Sequence, residues 1–264
     1  MINKMQSALI RKELKGVLGS KSFFLDYMLL PLIMALVLPV GATLMTVFMD
    51  SSAQEFEQIM ALLTISVPEG GEDFAVIEML INNMVPMFFL MIPVMTATVM
   101  ATASFTGEKE RRTLETLLYS PMSLREIFNA KVMGAFLLSM IVTIASFVIM
   151  SVIVFALVWF LLGELFIPSL VWLLVLFLVA PAFSVIGIIF QVRVSAKAKS
   201  SEEAYQRSAI LILPLVLLII GQFTGVLLFS PWMFASLGGI LAILAGVLIR
   251  VAFRKFTYEE LLKG

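Results

Sequence analysis

The stretch TGEKERRTLETLLYSPMSLREI (Thr106–Ile127) separates two long apolar runs with a dense mixture of charge. It holds eight of the chain's 36 charged residues (18 basic plus 18 acidic), and no charged residue lies between Glu78 and Glu108. Apolar runs of this length read as bilayer-crossing helices, so the charged stretch between them reads as a return to water. Its placement sets both the class of the chain and its topology.

The composition agrees. Of 264 residues, 61% are hydrophobic and 14% charged, and mean hydropathy is +1.07. A soluble chain carries about 25% charged residues. The expected fold class is an all-α polytopic membrane protein. Six spans are read at 27–49, 84–106, 132–162, 168–190, 209–229 and 232–249. The third run is longer than a bilayer needs and is expected to tilt or project. The first run is followed by no small-residue cleavage site, so it reads as a retained span rather than a signal peptide.

Orientation comes from lysine and arginine. The 18 basic residues fall into four groups: before span one, between spans two and three, between spans four and five, and after span six. With six spans and both termini inside, every group is cytoplasmic. The outer side then holds only acids: Asp50, Glu55, Glu57, Glu69, Glu72, Asp73, Glu78 and Glu164. The chain divides into a single transmembrane domain, 1–264, with a cytoplasmic interfacial helix at 1–26 and an external loop at 50–83. Cytoplasmic loops follow at 107–131 and 191–208, and a cytoplasmic tail at 250–264. In the N-terminal segment, Leu14, Val17 and Leu18 suit an apolar side, and Arg11, Lys12, Lys15 and Lys21 suit anionic headgroups or a partner.

Cysteine and histidine are absent from the sequence. That excludes disulfides, thiolate nucleophiles, histidine bases and histidine-bound zinc. No GxxxxGK[ST] loop occurs, so ATP binding of the P-loop kind is not expected in this chain. No catalytic residue, metal site or resident cofactor is expected, and no nucleic-acid partner. Inside the spans, charge is confined to the ends. Polar side chains there include Thr96, Thr98, Thr102, Ser104, Ser184, Gln222 and Thr224. Their plain reading is bonding between helices, worth on average about 0.6 kcal/mol each. Their sharper reading is a substrate path, with Thr98, Thr102 and Gln222 as its candidates. Met84, Met87, Met91, Met95 and Met100 suit packing or a hydrophobic substrate. Gly238, Gly239 and Gly246, with Ala235, Ala242 and Ala245, read as a close-packing face.

Within the opening stretch, Thr106 is read as capping a helix that starts at Gly107 or Glu108. Leu114, Leu117 and Leu118 recur at i, i+3 and i+4 and share a face, while Lys109, Arg112 and Thr116 point away. Glu108–Arg112 and Arg111–Glu115 are opposite-charge pairs at i,i+4, the first with its acid before its base. Pro121 stops this helix, and Ser123-x-x-Glu126 is a capping box for the next. Such an amphipathic helix could lie on lipid headgroups, which favours a basic polar face. Its polar face instead balances Glu108, Glu110 and Glu115 against Lys109, Arg111 and Arg112, and a balanced leucine ridge suits a protein groove better.

The run Gly107–Phe136 resembles the signature loop of ABC-2 type transporter permeases. The matching positions are Gly107, Glu108, Lys109, Glu110, Arg111, Thr113, Leu114, Glu115, Leu117, Leu118, Pro121, Ser123 and Lys131. A second run, Arg193–Leu215, is similar to the loop before span five in the sodium-exporter-like branch, through Lys199, Ser200, Glu203, Ala204 and Gln206. Tyr205 departs from that pattern, and the outer loop is far shorter than in many members of the branch. The resemblance implies a type V exporter-like transmembrane domain in a prokaryotic plasma (inner) membrane. It implies a second permease copy or a sister permease, and a cytosolic ABC ATPase that binds ATP and magnesium. Glu108, Lys109, Glu110, Arg111, Arg112, Leu114, Glu115, Leu117, Leu118 and Pro121 would form the ATPase-coupling element. Lys199, Ser200 and Glu203 would mark the second cytoplasmic loop. The substrate reading is a lipid, drug or amphipathic peptide, with sodium efflux, or a channel or secondary transporter outside the ABC class, as alternatives.

Overall fold

A computed structural model of the chain describes residues 4–18, 21–48, 73–110, 121–223 and 231–255. Every element among them is helical. A short amphipathic helix, α1 (Lys4–Leu18), precedes α2 (Lys21–Phe48). The long segments that follow are α3 (Asp73–Glu110), α4 (Leu124–Leu162), α5 (Leu170–Lys197), α6 (Ser201–Gln222) and α7 (Pro231–Lys255). The last five are long and apolar enough to cross a membrane; within α2 the apolar stretch Ala35–Phe48 is shorter.

α3 is the centre of the bundle. Its most apolar window is 78% buried, against 17% for the corresponding windows of α6 and α7. Low charge lets it sit among other helices without a lipid-facing side. It begins at Asp73, well before the expected start at residue 84, so residues 73–83 are helix rather than external loop. Val76 and Leu80 pack against Ala42 and Met45 of α2, and Ile77 and Ile81 join the main core. Asn82 and Asn83 dilute the hydropathy of this segment, which hides the extra turns from a linear reading. α3 also continues through Thr106 to Glu110. The expected helix cap at Thr106 does not form, and Thr106 Oγ1 has no hydrogen-bond partner among the described residues.

Two π-helical turns bend the bundle, at Leu80–Met84 in α3 and Val175–Val179 in α5. In each, the next residue's N–H bonds five residues back: Val85 to the Leu80 carbonyl, Ala180 to the Val175 carbonyl. Each of those residues is followed by a proline, Pro86 or Pro181. A proline has no N–H to donate and its ring crowds the carbonyl four residues back, so the preceding turn widens. The two widened turns flank an aromatic core. Phe89 and Trp172 meet edge to face at 5.2 Å, and Phe147 of α4 lies 5.2 Å from Trp172.

α4 is 39 residues long, about 58 Å at 1.5 Å per residue, roughly twice the hydrocarbon thickness. The expected capping box starts it: Ser123 Oγ accepts from Glu126 N–H, and Glu126 Oε2 accepts from Ser123 N–H at 2.8 Å. Gly163 ends it in the left-handed region at φ 75°, where its N–H reaches the Trp159 carbonyl at 3.1 Å.

The glycine face of α7 divides. A Cβ on Gly238 would lie 2.6 Å from Leu178 Cγ of α5, so this glycine is needed for close approach. Gly239 and Gly246 have nothing within 4 Å of that position.

Candidate functional site

The contacts sort the bundle into two ends. One end gathers the end of α3, the start of α4, the end of α5 and the start of α6. The described candidate coupling residues Glu108, Lys109 and Glu110 lie here.

Glu108 sits on the last turn of α3. Its Oε2 is 2.6 Å from Lys131 Nζ, on the second turn of α4, and its Oε1 is 3.1 Å from Lys12 Nζ of α1. The Lys131 side chain is 1% exposed although it lies within an apolar span. Besides Glu108, its ammonium donates to the Ser104 carbonyl at 2.5 Å and to Ser104 Oγ at 3.2 Å. Glu13 Oε1 of α1 lies 3.5 Å away, and the Phe105 ring centroid 5.4 Å away. Two acids and two bases thus balance within one cluster. α1 is held beside it by Leu9 and Ile10, buried with Ile127 and Ala130 of α4. Breaking such a buried pair by deleting one partner costs about 3–5 kcal/mol, because the other charge is stranded.

The next two residues turn the other way. Lys109 Nζ reaches the Ala198 carbonyl, just past α5, at 3.5 Å. Glu110 Oε2 accepts from Ser201 Oγ at 2.8 Å and from Ser201 N–H at 3.3 Å, at the first turn of α6. A carboxylate is favoured there by the exposed N–H groups and the helix dipole, by about 0.3–1 kcal/mol at a surface. Residues 108–110 therefore tie the end of α3 to α1 and α4 on one side and to the α5–α6 junction on the other.

That junction is itself ordered by the residues picked out in the sequence. Ser200 caps α6 by accepting from Glu203 N–H at 3.2 Å. Glu203 accepts from Lys199 N–H at 2.8 Å and from Arg207 at 2.6 Å. Deeper in, Gln191 of α5 is fully buried. Its amide donates to Thr102 Oγ1 at 2.5 Å and to the Ala204 carbonyl at 3.4 Å, and its oxygen accepts from Ser208 Oγ. Gln191 joins α3, α5 and α6 and was not among the sequence candidates. The signal for it was available: an amide in an otherwise apolar run.

The other candidates are accounted for as follows. Pro121 is exposed in the bend before Ser123. Arg111, Arg112, Leu114, Glu115, Leu117 and Leu118 lie outside the described residues. Of the three pathway candidates, Thr98 Oγ1 donates to the Met95 carbonyl of its own helix, and Thr102 accepts from Gln191. Gln222, at the far end of α6, donates to the Asn83 carbonyl at 2.7 Å. Nearby, Asn82 Oδ1 accepts from Ser169 N–H at 3.0 Å, tying α3 to the start of α5. Ser169 Oγ, Trp172 Nε1 and Gln222 Oε1 are buried without a hydrogen-bond partner among the described residues. In mid-bundle, Ser139 Oγ of α4 bonds the Pro93 carbonyl and meets Ser184 Oγ of α5, each at 2.9 Å. The polar residues of the spans thus mostly bond helices, their own or a neighbour's.

The family model for "ABC-2 family transporter protein" matches residues 7–231, which includes most of α1, both candidate loops and all of α3–α6. The chain belongs to the ABC-2 transporter family. It is a multi-pass membrane permease of an ABC-type transporter, the membrane component of a system that works with an ABC ATPase. Comparison with curated proteins and with solved structures gave no match. In this ABC-2 permease, the acids and bases that open the signature run are engaged inside the chain.

Proposed function

We propose that this ABC-2 permease has six spans with both termini cytoplasmic and serves an exporter in a prokaryotic plasma membrane. A separate ATPase binds ATP and magnesium and docks on the leucine ridge of Leu114, Leu117 and Leu118, with Arg111, Arg112 and Glu115 along its polar side. Displacement of that segment is passed to the bundle through the end of α3. The permease works as a pair, with a second copy or a sister chain. The substrate is hydrophobic or amphipathic: a lipid, a drug or a peptide.

The observation that carries this reading is the junction at Glu108–Glu110. The most buried span of the bundle ends there, in contact with α1, α4 and the α5–α6 junction. A push applied just beyond Glu110 has direct mechanical access to most of the bundle. The aromatic and methionine-rich interior supports an apolar substrate over an ion.

The test is purification of the chain from its own membranes in mild detergent, with assay of ATP hydrolysis in the product. A stoichiometric ATPase is expected, lost when Leu114, Leu117 and Leu118 are changed to Asp while the permease still inserts. A permease that purifies alone and supports no ATP-dependent transport would reject the proposal. Dye, lipid and sodium efflux measured in the same vesicles choose among the substrates.

A further inference from the structure

The two sides of the α3 terminus are held very differently. On the α1–α4 side, Glu108 meets a lysine that is 1% exposed, and four further groups surround the pair. On the α5–α6 side, Glu110 is exposed and holds Ser201 by two hydrogen bonds at the surface, beside a long contact from Lys109 to the Ala198 carbonyl. Water can replace the second set of contacts at once and cannot replace the first.

We propose that Glu110 and Ser201 form a latch that opens during the transport cycle, while α1, the end of α3 and the start of α4 move together as one unit. The inference rests on the coupling role proposed above. A force arriving just after Glu110 meets a surface carboxylate on a helix N-terminus in one direction and a buried, multiply bonded ion cluster in the other. The surface contact yields first. Its opening releases only the start of α6 at Ser201, where Ser200 and Glu203 continue to hold the helix end, while the buried Gln191 keeps Ala204 and Ser208 tied to Thr102 of α3 one turn deeper. Glu110 is thus a positioning residue: closed, it keeps the α5–α6 junction against α3; open, it frees that junction to swing about the buried Gln191 contacts.

The chain has no cysteine, which makes the test direct. Glu110→Cys with Ser201→Cys reports the latch, joined by a short bis-methanethiosulfonate linker. Glu13→Cys with Gly134→Cys reports the other side, where a Cβ on Gly134 would lie 3.4 Å from Glu13 Cβ, close enough for a direct disulfide. Both pairs are tested in the permease purified with its ATPase, without nucleotide and after trapping with ATP and vanadate. Linkage at 110–201 is expected to fall about fivefold on trapping, while linkage at 13–134 is unchanged. Linking 110 to 201 beforehand is expected to arrest ATP turnover until a reductant releases it. Equal linkage at 110–201 in both states, with ATPase present and active, overturns the latch alone. Absence of any ATPase overturns the latch together with the coupling reading. Should the cysteine pair fail to assemble, Glu110→Ala serves instead. It is expected to raise ATP hydrolysis in the absence of substrate about fivefold, and an unchanged rate overturns the latch.

Discussion

Lys131 Nζ lies 2.6 Å from Glu108 Oε2 across the α3–α4 junction, and only 1% of the lysine side chain is exposed. The pair explains why a base can sit on the second turn of a 39-residue apolar helix. Desolvation of the ammonium is offset by a carboxylate, the Ser104 carbonyl and the Ser104 hydroxyl together.

Lys131→Met leaves Glu13 without its base and Glu108 with only the exposed Lys12. A loss of about 3–5 kcal/mol is expected, read as poor yield and a lowered melting temperature in detergent. The double variant Lys131→Met with Glu108→Gln removes both charges and should recover part of that loss. A single variant as stable as the parent would show that the cluster is hydrated. The same reasoning makes Glu108→Ala a poor probe of ATPase docking, since it disturbs folding as well. Leu117→Asp, beyond the cluster, is the cleaner probe.

Gly238→Ala places a methyl 2.6 Å from Leu178 Cγ, too close without a shift of α5 or α7. A destabilisation of about 1–3 kcal/mol is expected from overpacking. Gly239→Ala meets nothing and replaces a flexible residue within a helix, so it should be neutral or stabilising by a few tenths to about 1 kcal/mol. Thermal unfolding of the two variants side by side checks the difference in sign.

Gln191→Leu should cost only about 1–2 kcal/mol despite complete burial of the amide. Thr102 and Ser208 keep acceptors on their own helices, the Thr98 and Ala204 carbonyls, so the substitution leaves few groups unpaired. Its larger effect should be on docking of α6 against α3. Faster proteolysis at the α5–α6 junction, with little change in melting temperature, is the expected pattern.

Gly163→Val forces a branched side chain into the left-handed region that ends α4. A loss of about 1–3 kcal/mol is expected from backbone strain alone, since nothing crowds the position. Gly163→Asn, which tolerates that region, should cost less, and circular dichroism melts of the pair test the ordering.

Much of this permease was legible in the residues themselves. Apolar runs separated by basic clusters determine membrane spans, because burial in lipid and retention of charge in water are local, additive preferences. The Ser123–Glu126 capping box was equally readable, since it involves neighbours three residues apart. The motif of Gly107–Phe136 was sufficient to indicate the family.

Tertiary packing decided the rest. Whether α3 stopped at Thr106 or ran on to Glu110 depended on Lys131 and Ser201, partners 23 and 91 residues from the acids they meet. That Asn82 and Asn83 belong inside a helix depended on α2, α5 and α6 closing around them. Gly238 and Gly239 are adjacent in the chain, and only the position of Leu178 makes one indispensable and the other free. Local preferences act through neighbours in sequence and can be read there. The pairing of a buried charge or amide depends on which distant groups the fold brings within about 3 Å, and that distance exists only once the helices are packed.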